Sequence, residues 1–204
     1  MAETDSKSRL EAFCDGVFAI ALTLLVLDIK IPSRESIKTT NDLWLALEHV
    51  APSTLTFMLS FTVILITWVN HHAALRLVNK SSASFLYANG FLLLTVVFLP
   101  FPTALLGEFL LTDHAAPAVI VYTSTLACQS MAWVLLSAIA LENELTKDER
   151  STVVTRGNRR AGYFALAVYS LFTITAFFFP LAVAIATAMI WVGWLIYGIN
   201  ISGK

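Results

Sequence analysis

Between Glu48 and Arg76 the chain carries no Asp, Glu, Lys or Arg, and after Arg160 it carries none before Lys204. Uncharged runs of that length are what a hydrocarbon layer of about 30 Å requires of helices rising 1.5 Å per residue. Soluble domains devote about a quarter of their residues to charge, whereas this chain is 13% charged and 57% hydrophobic, with a mean hydropathy of +0.75. It therefore belongs in a lipid bilayer. The net charge of -1 and the lack of a basic stripe interleaved with aromatics give no reason to expect a nucleic-acid partner. Cys14 and Cys128 fall in or beside apolar segments and read as small packing residues, and no CxxC or HExxH pattern occurs. No cofactor, no bound metal beyond a permeating ion and no enzymatic chemistry are expected.

Charge and proline divide the chain into six apolar segments at about 9–31, 52–75, 82–106, 117–141, 161–179 and 181–201. The fold class expected is all-α, a polytopic membrane protein with six transmembrane helices in one domain, 1–204. Pro100 and Pro102 predict a kink or an early stop in the third segment, and Pro180 divides the last apolar stretch into a hairpin. Residues 31–50 read as a polar connection with Trp44 and Leu47 on a short interfacial helix, and 143–160 as a solvated connection. The remaining tryptophans and Tyr197 read as interface anchors or packing. Placing the N-terminus in the cytoplasm puts Lys7, Arg9, Arg76, Lys80, Lys147, Arg150, Arg156, Arg159, Arg160 and Lys204 inside, and only Lys30, Arg34 and Lys38 outside. That positive-inside bias orients both termini to the cytoplasm. The first apolar run is read as a retained helix rather than a cleaved leader, because Glu3, Asp5, Glu11 and Asp15 dilute its basic region and no small-residue cleavage site follows.

This first segment is unusual. Arg9, Glu11 and Asp15 enter the membrane boundary ahead of an uncharged run, Gly16 to Leu27, that is short for a span. Such a helix needs protein cover. On a wheel of 3.6 residues per turn, Gly16, Ile20, Thr23 and Leu27 fall within about 60° of one another, with Leu24 beside them. Taken alone, this face is an ordinary packing face. Asp15 points about 100° away, toward neighbouring helices. A carboxylate there needs partners, and Trp68, Asn70, His71 and His72 on the second segment lie at matching depth.

Arg9, then Phe13-Cys14-Asp15-Gly16, then an apolar helix with Ile20, Thr23 and Leu27, resembles the Arg and Phe-Ser-Asp signature of the transmembrane protein 175 family of potassium channels. Cys14 stands where that motif has serine, keeping the size while weakening the hydrogen bond. The resemblance implies a potassium-preferring cation channel in the cell membrane of a prokaryote. Its pore would be lined by the first helix of each of four subunits, with Ile20, Thr23, Leu24 and Leu27 on the axis. It also implies that the signature residues form an inter-helix network. No TVGYG loop is present, so selection would rest on an apolar constriction rather than a carbonyl filter. The alternative is a proton-coupled secondary transporter using Asp15 and His72.

Overall fold

A computed structural model describes residues 2–202, with side chains from 7 to 196; Glu3, Asp5, Tyr197 and Lys204 thus lie outside the described side chains. The fold is all-α. Its helices are α1 (Ala2–Leu24), α2 (Thr40–Leu77), α3 (Ala83–Phe98), α4 (Pro100–Phe109), α5 (Ala115–Glu142), α6 (Glu149–Thr175) and α7 (Pro180–Ser202), with 3-10 turns at Leu25–Asp28 and Arg34–Ser36. By length and composition, Lys7–Asp28, Thr40–Leu77, Ala83–Phe109 and Ala115–Glu142 are apolar enough to cross a membrane, and Pro180–Ile196 is a shorter apolar helix.

Local chemistry sets where several of these helices start. Thr39 and Asp42 form a reciprocal capping box, each accepting a backbone N–H of the other, so α2 begins at Thr40. Trp44 and Leu47 consequently lie on the same continuous helix as the second apolar segment, not on a separate interfacial helix. Asp148 caps α6 by accepting the Ser151 N–H at 2.7 Å. The charged stretch expected as a long connection is therefore helical from Glu149, leaving only a short turn after α5. Pro180 occupies the first turn of α7, where its missing donor costs nothing.

The bundle is organised around α5, whose alanines and serines, including Ala118, Ser130, Ala132 and Ala140, are buried along its length. Small residues let neighbouring backbones approach, which matters in lipid because tails are as apolar as the side chains they would replace. Tyr122, Leu126 and Val119 of α5 join Val63 and Ile64 of α2, Val96 of α3 and Phe18 of α1 in one buried cluster. A second cluster, with Leu75, Phe85, Leu92, Leu136 and Leu145, fills the end where α2 meets α3.

At Leu99 the third apolar segment breaks into α3 and α4, as its prolines predict. The Thr103 hydroxyl lies 2.8 Å from the Leu99 carbonyl and 2.6 Å from Ser60 Oγ, and Ser60 in turn meets Tyr122 Oη at 3.1 Å. One turn further on, a Cβ at Gly107 would stand 2.9 Å from Ser53 Cα, so α4 and α2 touch backbone to backbone there.

Two measurements check these points. Gly107→Val is expected to destabilise by about 1–3 kcal/mol, since the obstacle is backbone and cannot rotate away; thermal unfolding of the detergent-solubilised protein reads it. The Ser151 N–H holds the Asp148 carboxyl below the ordinary carboxylate range. A lowered folded-state pKa means that the cap's contribution is present above the unfolded-state value and is lost as pH falls through the lowered folded value. The Ser151 amide NMR resonance should therefore hold steady on acidification until below the usual carboxylate range, and Asp148→Asn should abolish that transition.

Candidate functional site

Helix α1 has two unlike faces. Cys14, Phe18, Ala21 and Leu25, spaced four, three and four residues apart, are buried against the rest of the chain. The opposite side is uncovered: Ile20 is 60% exposed, Leu24 38% and Leu27 72%, with Thr23 exposed between them and nothing within 4 Å of a Cβ at Gly16. The expected face is thus present as a continuous free surface of one chain. Leu27 lies on the 3-10 turn, where 3.0 residues per turn replace 3.6, so it departs from the strict α-helical line of Gly16, Ile20 and Thr23 while staying exposed.

Thr23 donates its hydroxyl proton to the Ile20 carbonyl at 2.8 Å. Its oxygen lone pairs are left free to accept, or to face a cation.

Behind this face, two polar contacts pin α1. Trp68 Nε1 donates to Asp15 Oδ1 at 2.8 Å, joining α1 to α2. Asn89 of α3 donates from Nδ2 to Cys14 Sγ at 3.3 Å, while its Oδ1 lies 2.7 Å from His71 Nε2 of α2. With His71 1% and Asn89 2% exposed, these two side chains and Cys14 form a closed polar chain through the middle of three helices. Phe18 and Trp133 flank the His71 ring at centroid distances of 5.3 and 6.4 Å. A buried histidine and amide in this setting are each costly unless paired, and here each supplies the other's partner.

Of the expected network residues, the structure therefore brings together Cys14, Asp15, Trp68 and His71. His72 is half-buried, its ring 6.2 Å from that of Trp68, and it makes no hydrogen bond to Asp15. Arg9, Phe13, Gly16 and Asn70 are exposed, and among the described residues the side chains of Arg9, Phe13 and Asn70 make none of the hydrogen bonds of this network. Asn89 is the member that sequence reasoning did not assign; an amide placed among apolar residues near the start of a span was the available signal.

At the opposite end of α1, Lys30 and Glu108 approach to 3.8 Å in an exposed pair that joins the α1–α2 connection to the end of α4.

Comparison with known proteins places this arrangement. A family model described as "Endosomal/lysosomal potassium channel TMEM175" matches residues 9–100, the stretch that contains α1 from Arg9 onward, all of α2 and Asn89. A potassium channel of Chryseobacterium sp. is 31% identical over 176 residues, covering 86% of this chain and 85% of its own. The chain belongs to the TMEM175 family. Another relative, a potassium channel of Chamaesiphon minutus, is 49% identical over 120 residues, and that alignment spans 59% of this chain and 59% of the relative's length. Among solved structures, the crystal structure of a lysosomal potassium-selective channel TMEM175 homolog from Chamaesiphon minutus superimposes with a TM-score of 0.76 at 36% identity, covering 92% of this chain and 97% of that one. The TMEM175 family is one of ion channels, not enzymes.

The polar chain has a direct test. Asn89→Leu leaves His71 buried without its partner and is expected to cost about 1–3 kcal/mol in thermal unfolding. A double-mutant cycle with His71→Phe should show coupling of about 0.5–3 kcal/mol, because the two groups satisfy each other.

Proposed function

We propose that this chain is the subunit of a potassium-preferring cation channel in the cell membrane of a prokaryote, a homotetramer whose pore is lined by α1. The observation that carries this reading is the free face of α1. A helix gripped on one side by α2 and α3 leaves Ile20, Thr23, Leu24 and Leu27 uncovered on the other. Four such faces brought together around an axis bury what one chain leaves open. Family membership supports the assembly, since relatives matching this chain bear the name potassium channel.

In this arrangement the pore carries stacked rings of Ile20, Thr23, Leu24 and Leu27. Apolar rings gate by expelling water. A cation passing Ile20 sheds part of its hydration shell, which penalises the smaller, more tightly hydrated sodium ion more than potassium. Thr23, its proton committed to the Ile20 carbonyl, turns oxygen lone pairs toward the stripped ion and offsets part of that cost. Selectivity on this mechanism is moderate, because no rigid cage of carbonyls measures the ion.

Orientation follows from shared ends. The start of α1 contacts the turn after α2 through Lys7, and that turn pairs with the one after α5 through Asn79 and Leu145. All three therefore lie at one end of the bundle, the end that carries Lys7, Arg9, Arg76, Lys80, Lys147, Arg150, Arg156, Arg159 and Arg160, nine of the chain's 13 basic residues. By the positive-inside rule this end is cytoplasmic, with α6 and α7 completing six spans and returning the C-terminus to the same side. Among the described residues no helix carries regularly spaced arginines through its apolar part, so opening is independent of voltage. The alternative of a proton relay from Asp15 to His72 draws no support from one chain, where the hydrogen bond that Asp15 makes is to Trp68 and the His72 ring packs on Trp68 instead.

Reversal potentials in planar bilayers under opposed potassium and sodium gradients test the pore. Ile20→Asn is expected to raise unitary conductance and to reduce discrimination between the two ions several-fold. Thr23→Ala should lower potassium conductance. Unchanged conductance and selectivity in both variants would remove α1 from the pore.

A further inference from the structure

At the end of the bundle where α2 turns into α3, a pocket of about 200 Å³ opens beside the start of α1. Buried Phe85 and half-buried Leu10 form its apolar floor, and Lys7, Asn79, Lys80 and Ser81 its polar rim. Lys7 donates from Nζ to the Val78 carbonyl at 2.9 Å. Among the described residues, Lys147 and Arg76 oppose the charge of that ammonium, while Glu11, 3.9 Å away, attracts it. Glu142, Glu144 and Glu149 also belong to this end, but among the described residues no acid lines the pocket, and Asp148, beside Lys147, is engaged in capping α6. Lys80 adds another positive charge to the rim.

Cations held together beside a half-enclosed cavity repel one another more strongly than they would in bulk water, because the local dielectric is lower. The fold nevertheless draws them together by backbone pairing: Asn79 N–H donates to the Leu145 carbonyl at 2.8 Å, and Lys147 N–H to the Leu77 carbonyl at 3.0 Å. A multivalent anion relieves this repulsion. Asn79 and Ser81 add neutral hydrogen-bonding groups to the rim, the complement a phosphate requires once its charge is met. The volume is too small for a nucleotide or other drug-sized ligand, which need about 300 Å³ or more. It is ample for a phosphate with a glycerol fragment, and the apolar floor suits the latter. Basic pockets between spanning helices at the cytoplasmic end are the usual setting for anionic headgroups.

We propose that this pocket binds a phosphate group, carried either by an anionic phospholipid of the adjacent leaflet or by free inorganic phosphate. Occupancy cross-links the start of α1 to the turn after α2 and to the turn after α5, three elements that otherwise repel through their lysines. It thereby fixes the entry of α1. Any consequence for conduction rests on the channel reading above; the binding itself does not.

The test uses the full chain, purified in detergent and stripped of lipid, with thermal unfolding as the readout, so that no ion flux enters the measurement. Short-chain phosphatidylglycerol is compared with phosphatidylcholine of equal chain length, and inorganic phosphate with chloride at equal ionic strength. At about a hundredfold excess over Kd, binding is expected to raise Tm by roughly 5–10 °C. A rise with inorganic phosphate identifies the free anion as sufficient, and a rise with phosphatidylglycerol alone identifies the lipid headgroup. Either supports the site, provided the lysine variants weaken it. Lys80→Gln and Lys147→Gln, both exposed and free of packing roles, should each lower the apparent affinity roughly fivefold, whereas Lys38→Gln at the far end should leave it unchanged. No shift with either ligand, or a shift of undiminished affinity in the Lys80→Gln/Lys147→Gln double variant, overturns the proposal.

Discussion

Helix α1 is apolar on two sides and is gripped on one. In water the free side would drive collapse, but in a bilayer lipid tails satisfy apolar side chains as well as protein does, so burial alone does not fix the helix. Close packing and hydrogen bonds have to do it. The packing comes from Phe18, Ala21 and Leu25, which sit flush in the cluster shared with α2, α3 and α5. The hydrogen bonds come from Asp15 to Trp68 and from Cys14 through Asn89 to His71. A one-residue slip or a rotation of α1 breaks both contacts at once. It also presents Ile20 or Leu24 to a core with no room for either. The free face is thus held in place by what happens on its back.

The distribution of these contacts along α1 has its own logic. Every polar pin lies at or before Asp15, and beyond it the helix is held by packing until the exposed Lys30–Glu108 pair. An exposed pair of that length contributes little. The segment from Gly16 to Leu27 is consequently free of competing hydrogen-bond partners, apart from Thr23, whose donor is consumed within its own turn. Such a surface neither solvates an ion well nor binds it tightly. In the pore proposed above, that combination suits rapid passage past a dry constriction, where tight binding would slow exit.

Much of this was legible in the sequence, and the rest failed for identifiable reasons. The uncharged runs specify helices because in lipid the backbone can satisfy itself no other way with such segments. The exposed face of α1 follows from period alone through Leu24 and loosens at Leu27, where the helix tightens into a 3-10 turn that no residue announces. The helix starts at Thr40 and Glu149 are hidden by charge, which reads as loop; Thr39 with Asp42 and Asp148 ahead of Ser151 are capping patterns that outweigh it. Asn89 was out of reach for a different reason. It lies 75 residues from Cys14 and 18 from His71, and no local pattern encodes a pairing that forms only when three helices meet.

The break at Leu99 separates a channel from a carrier. Secondary transporters unwind helices near the membrane midplane so that freed backbone groups can hold substrate and coupling ions. Here the interruption is turned into the protein and answered there. Leu99 N–H donates to the Val96 carbonyl, Thr103 N–H reaches the Leu99 carbonyl, and the Thr103 hydroxyl meets Ser60, which meets Tyr122. Leu99 and Tyr122 are buried, and the hydroxyls at the break bond one another, although Tyr122 also lines an apolar cavity between α2, α5 and α7. A substrate would have to displace hydroxyls already satisfied by one another. The prolines therefore shape α4 for its backbone contact with α2 at Gly107, which leaves the free face of α1 as the surface that the proposed pore assigns to ions.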